Sequence, residues 1–210
     1  MIRPVFLKLV FALIGLSLSS VWAARAAGRL PLTPSSQLTF YARPQGNFEI
    51  YLADTDRAMV VNLTRDRADD IRPAWSPDGT HMAFYSTREE RGGLYVISND
   101  GEPPRLLIES GYGETYPMWS PDGRTIAYSL DPRDGVGVYQ IPANGGQRQR
   151  ISPFQTALMS YAPDGRRIVF MTDCDNHCDL YVMDADGANA RPITRNGVFD
   201  VFPVWSPDSR

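Results

Sequence analysis

Lysine is almost missing from this 210-residue chain: 20 of the 21 basic residues are arginine, and the only lysine is Lys8. We read that skew as coding bias rather than as function. Histidine is limited to His81 and His177, and cysteine to Cys174 and Cys178. Three of these four residues share the stretch "DCDNHCD" from Asp173 to Asp179, where four zinc ligands would have no familiar spacing. The order is not Cys-x-x-Cys-His either, so haem attachment is excluded. The sequence has no Gly-x-Ser-x-Gly elbow, no His-Glu-x-x-His and no phosphate loop, which removes three common catalytic frameworks. The longest apolar run, "LVFALIGLSLSSV" from Leu9 to Val21, is short for a membrane span of about 20 residues. Beyond residue 27 no segment keeps a helical period of useful length.

The apolar run is preceded by Arg3 and Lys8 and followed by "VWAARAAG", with small-residue cleavage sites after Ala23 or Ala27. Residues 1–27 are therefore expected to be a cleaved secretory signal, with an uncleaved anchor as the alternative. The reading implies an exported, periplasmic or extracellular protein. Losing Arg3, Lys8 and Arg25 takes the formal net charge from -3 to -6. An acidic chain without a basic run gives no electrostatic case for nucleic acid, and membrane contact would be limited to an uncleaved signal.

What the sequence has in quantity is 17 glycines, 17 prolines and one recurring phrase. The copies are "PAWSPDGTHMAFYS" from Pro73, "PMWSPDGRTIAYSL" from Pro117, "MSYAPDGRRIVFMT" from Met159 and "PVWSPDSR" from Pro203. Their aromatics, Trp75, Trp119, Tyr161 and Trp205, are 44, 42 and 44 residues apart, the period of one propeller blade. After each "PDG" come an alternating apolar stretch, a polar loop, a second alternating stretch such as "GLYVISNDG" or "DLYVMDADG", and a short "RLLI" or "RPIT". Period-two alternation broken by Gly, Pro, Asn and Asp predicts four short antiparallel strands per unit. In the turn, Pro fixes φ, Asp offers a local hydrogen bond, and Gly supplies the left-handed conformation. "DADG" from Asp184 to Gly187 is then a hairpin turn rather than a calcium loop, since the downstream acidic ligands are missing. The four aromatics are expected as core anchors between blades.

The expected fold is an all-β propeller of four-stranded antiparallel blades over residues 28–210. Its units lie at about 30–64, 73–108, 117–151 and 159–194, with a terminal strand at 203–210. With these residues in view, the chain resembles the WD40-like propeller repeats of the TolB family. "WSPDGTHMAFYSTREERGGLYVISNDG", "DLYVMDADGANARPIT" and "EIYLADTDRAMVVNLT" carry the resemblance, which covers about residues 36–210. It departs from that family's pattern in leaving no room for a separate N-terminal domain between signal and propeller, and in having four units where six blades are usual.

Two arrangements fit the strand count. In one, Val204 and Trp205 pair with the first unit and close a four-blade ring, leaving no bare edge. In the other, the chain is a larger propeller truncated at Arg210. "RLPLTPSSQ" from Arg29 resembles a degenerate first strand and turn, which would leave the terminal strand without that role. The closed ring is the favoured expectation. Ser209 stands where the other turns have Gly, and a turn with no second strand after it hardly needs one.

Comparing the units separates two faces. One holds the repeated "PDG" and Gly-rich turns, which backbone geometry explains. The other holds variable blade links, "RDRADDIR", "SGYGETY", "SPFQTALM" and "RNGVFDVF", and the loops "RPQGN", "TREERG", "DPRDG" and "DCDNHCD". Arg67, Asp70, Arg72, Tyr112, Tyr116, Phe154, Phe199 and Asp200 are the candidate partner-binding residues, a mixture suited to a protein or peptide in the cell envelope. The bland alternative is that they rim and plug the axial channel. Cys174 and Cys178 are expected as a disulfide worth on the order of 2 kcal/mol. His81 is expected in a surface or interblade hydrogen bond.

Neither cofactor nor metal is expected, and the functional expectation is a non-enzymatic binder. The alternatives are a small-ligand or glycan sensor using Tyr and Phe as platforms, or a fragment of a larger propeller-containing enzyme. A carbohydrate-active site would need carboxylates such as Asp70 and Glu114 to meet over the channel.

Overall fold

The computed structural model describes residues 37–44, 46–98, 102–110, 116–130, 135–154, 156, 158–172 and 178–210. The expected signal at 1–27 and "RLPLTPSS" lie outside them. The described residues form four antiparallel sheets. The first has three strands, β1 (Gln37–Ala42), β2 (Glu49–Asp54) and β3 (Met59–Asn62). The second has β4 (Asp70–Trp75), β5 (His81–Ser86), β6 (Gly93–Ser98) and β7 (Arg105–Glu109). The third has β8 (Met118–Trp119), β9 (Thr125–Leu130), β10 (Gly137–Pro142) and β11 (Gln149–Ser152). The fourth has β12 (Met159–Tyr161), β13 (Arg167–Met171), β14 (Leu180–Asp184) and β15 (Arg191–Pro192). Strands within each sheet are ordered as in the chain, so each sheet is one meandering blade.

Central strands are apolar on both faces because each blade lies between two others. In β5, Met82 and Phe84 pack with Ile50 of the first sheet, whereas Ala83 joins Trp119, Ile126 and Tyr128 of the third blade. The next junction is made the same way, with Ala127 and Val138 against Tyr161, Ile168 and Phe170. At ~25 cal/mol per Å² of apolar surface, these shared layers are the main favourable contribution to folding.

The repeated aromatics bridge blades. The indole N–H of Trp119 donates to the carbonyl of Ala74 at 2.9 Å, and that of Trp205 donates to Ser160 at 3.0 Å. Tyr161 fills the place between them, its hydroxyl 2.6 Å from the side-chain amide of Gln140. The turns interlock as well. A Cβ on Gly123 would stand 3.7 Å from Pro77, and one on Gly165 would stand 3.8 Å from Pro121, each proline belonging to the previous blade's turn. His81 contacts Thr80 Oγ1 through Nδ1 at 2.8 Å and lies beside the Trp119 ring.

The pairing expected to close a four-blade ring is not formed among the described residues. The first sheet has three strands, and residues 203–210 pair with none of them. The reason is local: the terminal segment is held in the position that would follow the fourth blade. Trp205 is bonded to Ser160, Asp164 N donates to Ser209 Oγ at 3.0 Å, and the Arg167 guanidinium donates to Ser209 O at 2.7 Å.

Ser209 also corrects the expectation that its turn can relax. Its φ is 63°, close to the 69° to 72° of Gly79, Gly123 and Gly165. The turn is complete, with Ser206 Oγ to Asp208 at 2.6 Å and Ser209 N to Ser206 O at 3.0 Å. The two hydrogen bonds to Asp164 and Arg167 offset the cost of a left-handed non-glycine residue.

Candidate functional site

The variable face is shaped by an irregularity in β4. Between Ile71, opposite Tyr85, and Ala74, opposite Ala83, two residues of β4 face one of β5. This bulge carries Arg72 at φ 59° and turns its side chain out of the sheet pattern. The Arg72 guanidinium lies 3.4 Å from the ring centroid of Tyr116, on the link into the next blade. Two of the expected partner-binding residues are thus brought together from adjacent blades. Arg67 is exposed on the link leading to β4, beside Asp66 and Arg65, which are also exposed.

Asp70 is different. It is 0% exposed and paired with Arg88, whose Nη2 donates to Oδ2 at 2.9 Å, while Oδ1 has no hydrogen-bond partner. Burial pushes its carboxyl up, with hydrogen bonds from Ser86 and Arg88 acting against that. Arg88 is in turn stacked near Phe84 and Tyr95 and approaches Asp66 at 3.8 Å. Neighbouring Glu49 is buried too, accepting from Thr64 Oγ1 at 2.8 Å and from Asn47 at 3.0 Å. Asp70 supports the site from below rather than presenting itself. Arg88 is the residue that sequence reasoning missed; the available signal was an Asp opening the inner strand and an Arg in the following loop of the same unit.

Phe154 is also turned inward, in contact with Phe170 at 5.6 Å and Tyr181 at 5.3 Å between ring centroids. Phe199 is exposed, and Asp200 is half-buried at the end of the array, its N–H donating to Cys178 O at 3.0 Å. Tyr112 and Glu114 lie outside the described residues, so no pairing of Glu114 with Asp70 is described. Cys178 is buried and disulfide-bonded; its expected partner, Cys174, lies outside the described residues.

The opposite face is uniform. In each serine-bearing turn Ser donates to the Asp two residues on, at 2.6 Å in all three cases. The Ser76 hydroxyl, with the N–H and hydroxyl of Thr80, holds the Asp78 carboxyl down to about 2.

Residues 93–210, more than half of the chain, match the TolB beta propeller domain family. The chain belongs to the TolB beta propeller family. The match spans the third and fourth blades, the outer half of the second and the terminal turn. A TolB homolog of Chlorobaculum tepidum is 39% identical over 61 residues, 29% of this chain and 14% of that protein. An uncharacterized peptidase, YuxL of Bacillus subtilis, is 32% identical over 88 residues, 38% of this chain and 13% of that protein. The chain therefore aligns with a small part of either relative. Among solved structures, TolB from Acinetobacter baumannii superposes with a TM-score of 0.72 at 21% identity, covering 90% of this chain and 49% of that one. That likeness concerns the propeller fold, which hosts many functions.

Proposed function

We propose that this TolB-like propeller is an exported, non-enzymatic binding module, and that its variable loop face holds a protein or peptide partner in the cell envelope. The observation carrying the reading is the Arg72–Tyr116 pair, set on a backbone bulge above the buried Asp70–Arg88 ion pair. Left-handed backbone at a non-glycine residue costs of order 1–3 kcal/mol and collects at ligand-contacting positions. Arg and Tyr are the residue types that dominate protein interfaces. With Arg67, they give this mouth a local positive character on an acidic chain, suited to a partner segment bearing carboxylates.

A glycan or small aromatic ligand fits less well, because the Arg72 guanidinium already covers one face of Tyr116. The peptidase among the relatives keeps an enzymatic role within the question, but the sequence supplies no Gly-x-Ser-x-Gly elbow for it. Export is supported by the pattern of residues 1–27.

The test is affinity capture from a solubilised envelope fraction, comparing the native chain with Arg72→Ala/Tyr112→Ala/Tyr116→Ala. The partner retained by the native chain should bind the triple variant at least ~10-fold more weakly, as expected for loss of central Arg and Tyr contacts. Equal retention by both chains would contradict the reading.

A further inference from the structure

Each internal junction joins the same positions: the inner aromatic strand and apolar second strand of one blade lie against the preceding blade. Two half-junctions remain uncovered among the described residues. At one end β1 presents Phe40 and Tyr41 at 36% and 44% exposure, where the equivalent Phe84 and Tyr85 of β5 are at 0% and 5%. Its sheet has no inner strand. At the other end Pro203–Trp205 occupies the position of an inner strand, with Trp205 bonded to Ser160 and Phe202 at φ 58°, the conformation Arg72 has in β4. Phe202 and Val204 are 73% and 87% exposed there.

We propose that these faces are the two halves of one junction, joined head to tail between two copies of this chain. Val204 and Trp205 of one copy add to β1 of the other in the register of β4 on β5. Ala74 stands opposite Ala83 and Trp75 opposite Met82, which places Val204 opposite Thr39 and Trp205 opposite Leu38. Charge fits as well as shape. In the second blade Asp70 is opposite Ser86 and receives Arg88 from the loop beyond it. By the same register Asp200 comes opposite Ala42 and next to Arg43, and Asp200 Oδ2 is a buried oxygen without a hydrogen-bond partner. The second copy supplies both the missing strand neighbour and the cation. When each copy gives and receives one strand, the pair closes and the bare edges disappear.

Sedimentation of the purified chain at about 100 µM, well above a Kd of ~10 µM, reads the association directly. The native chain should be a dimer, Phe40→Asp and Val204→Asp each a monomer, and their equimolar mixture a dimer through the one junction left intact. Both substitutions sit at exposed positions, and circular dichroism checks that each variant keeps its strands. Mixing Thr39→Cys with Val204→Cys under oxidation should give a covalent heterodimer. A monomeric native chain, a mixture no more associated than either variant, or a Thr39→Cys/Val204→Cys chain that cross-links only to itself would overturn the proposal.

Discussion

At the scale of the residue, the buried pair of Asp70 and Arg88 supports the site's floor, and its response to mutation follows from desolvation. Arg88→Met should cost about 3 kcal/mol, because it strands a buried carboxylate, and should lower the melting temperature by roughly 6–12 °C. Adding Asp70→Asn should recover at least half of that loss, which thermal denaturation followed by circular dichroism would read. The two aspartate classes titrate with opposite signs. The Asp78 carboxyl is held at about 2, below its ordinary 3.8, so its contribution is present above that ordinary value and is lost as pH falls toward 2. Asp70 is raised by burial, so its ionisation opposes folding as pH rises through its folded value, and that penalty is relieved on acidification. Melting curves between about pH 2 and 5 should accordingly lose acid sensitivity in Asp78→Asn and gain it in Asp70→Asn.

At the scale of the element, junctions between blades depend on single close contacts. A Cβ at Gly187, where φ is 90°, would lie 1.7 Å from the carbonyl oxygen of Ile151 in the neighbouring blade. Gly187→Ala therefore has to push the third and fourth blades apart, and should destabilise by about 2–4 kcal/mol in a denaturant titration with little change of secondary structure in the folded protein. Trp119→Phe keeps a ring but leaves the Ala74 carbonyl without its indole donor, and should cost about 1–3 kcal/mol in the same measurement. These elements were legible in the sequence, because strand period, "SPDG" turn and aromatic spacing all point the same way. The first unit's three strands were readable in "QLTFYA", "EIYLAD" and "MVVN". Burial of two candidate site residues was not. Asp70 is withdrawn by Arg88, 18 residues away, and Phe154 by Phe170 and Tyr181, partners that only the folded loops bring near. The Arg72–Tyr116 contact depends on a bulge, which hydrophobic alternation does not reveal.

At the scale of the whole molecule, strand counting favoured a closed four-blade ring, yet the terminal segment sits on the fourth blade and pairs with no strand of the first sheet. Closure depends on the rotation from one blade to the next, a property of stacked layers that no count of strands contains. The same stacking gives the molecule a uniform turn face and a variable loop face, and the functional proposal is that only the second takes a partner. Site-specific photo-cross-linking in the producing cell tests this most directly. A benzophenone amino acid at Arg67, exposed on the loop face, is compared with one at Asp122, exposed on the turn face. We expect a discrete protein adduct from position 67, lost when Arg72 and Tyr116 are both alanine, and none from position 122. Adducts from position 122 alone, or an adduct at 67 indifferent to those alanines, would contradict a partner-binding loop face.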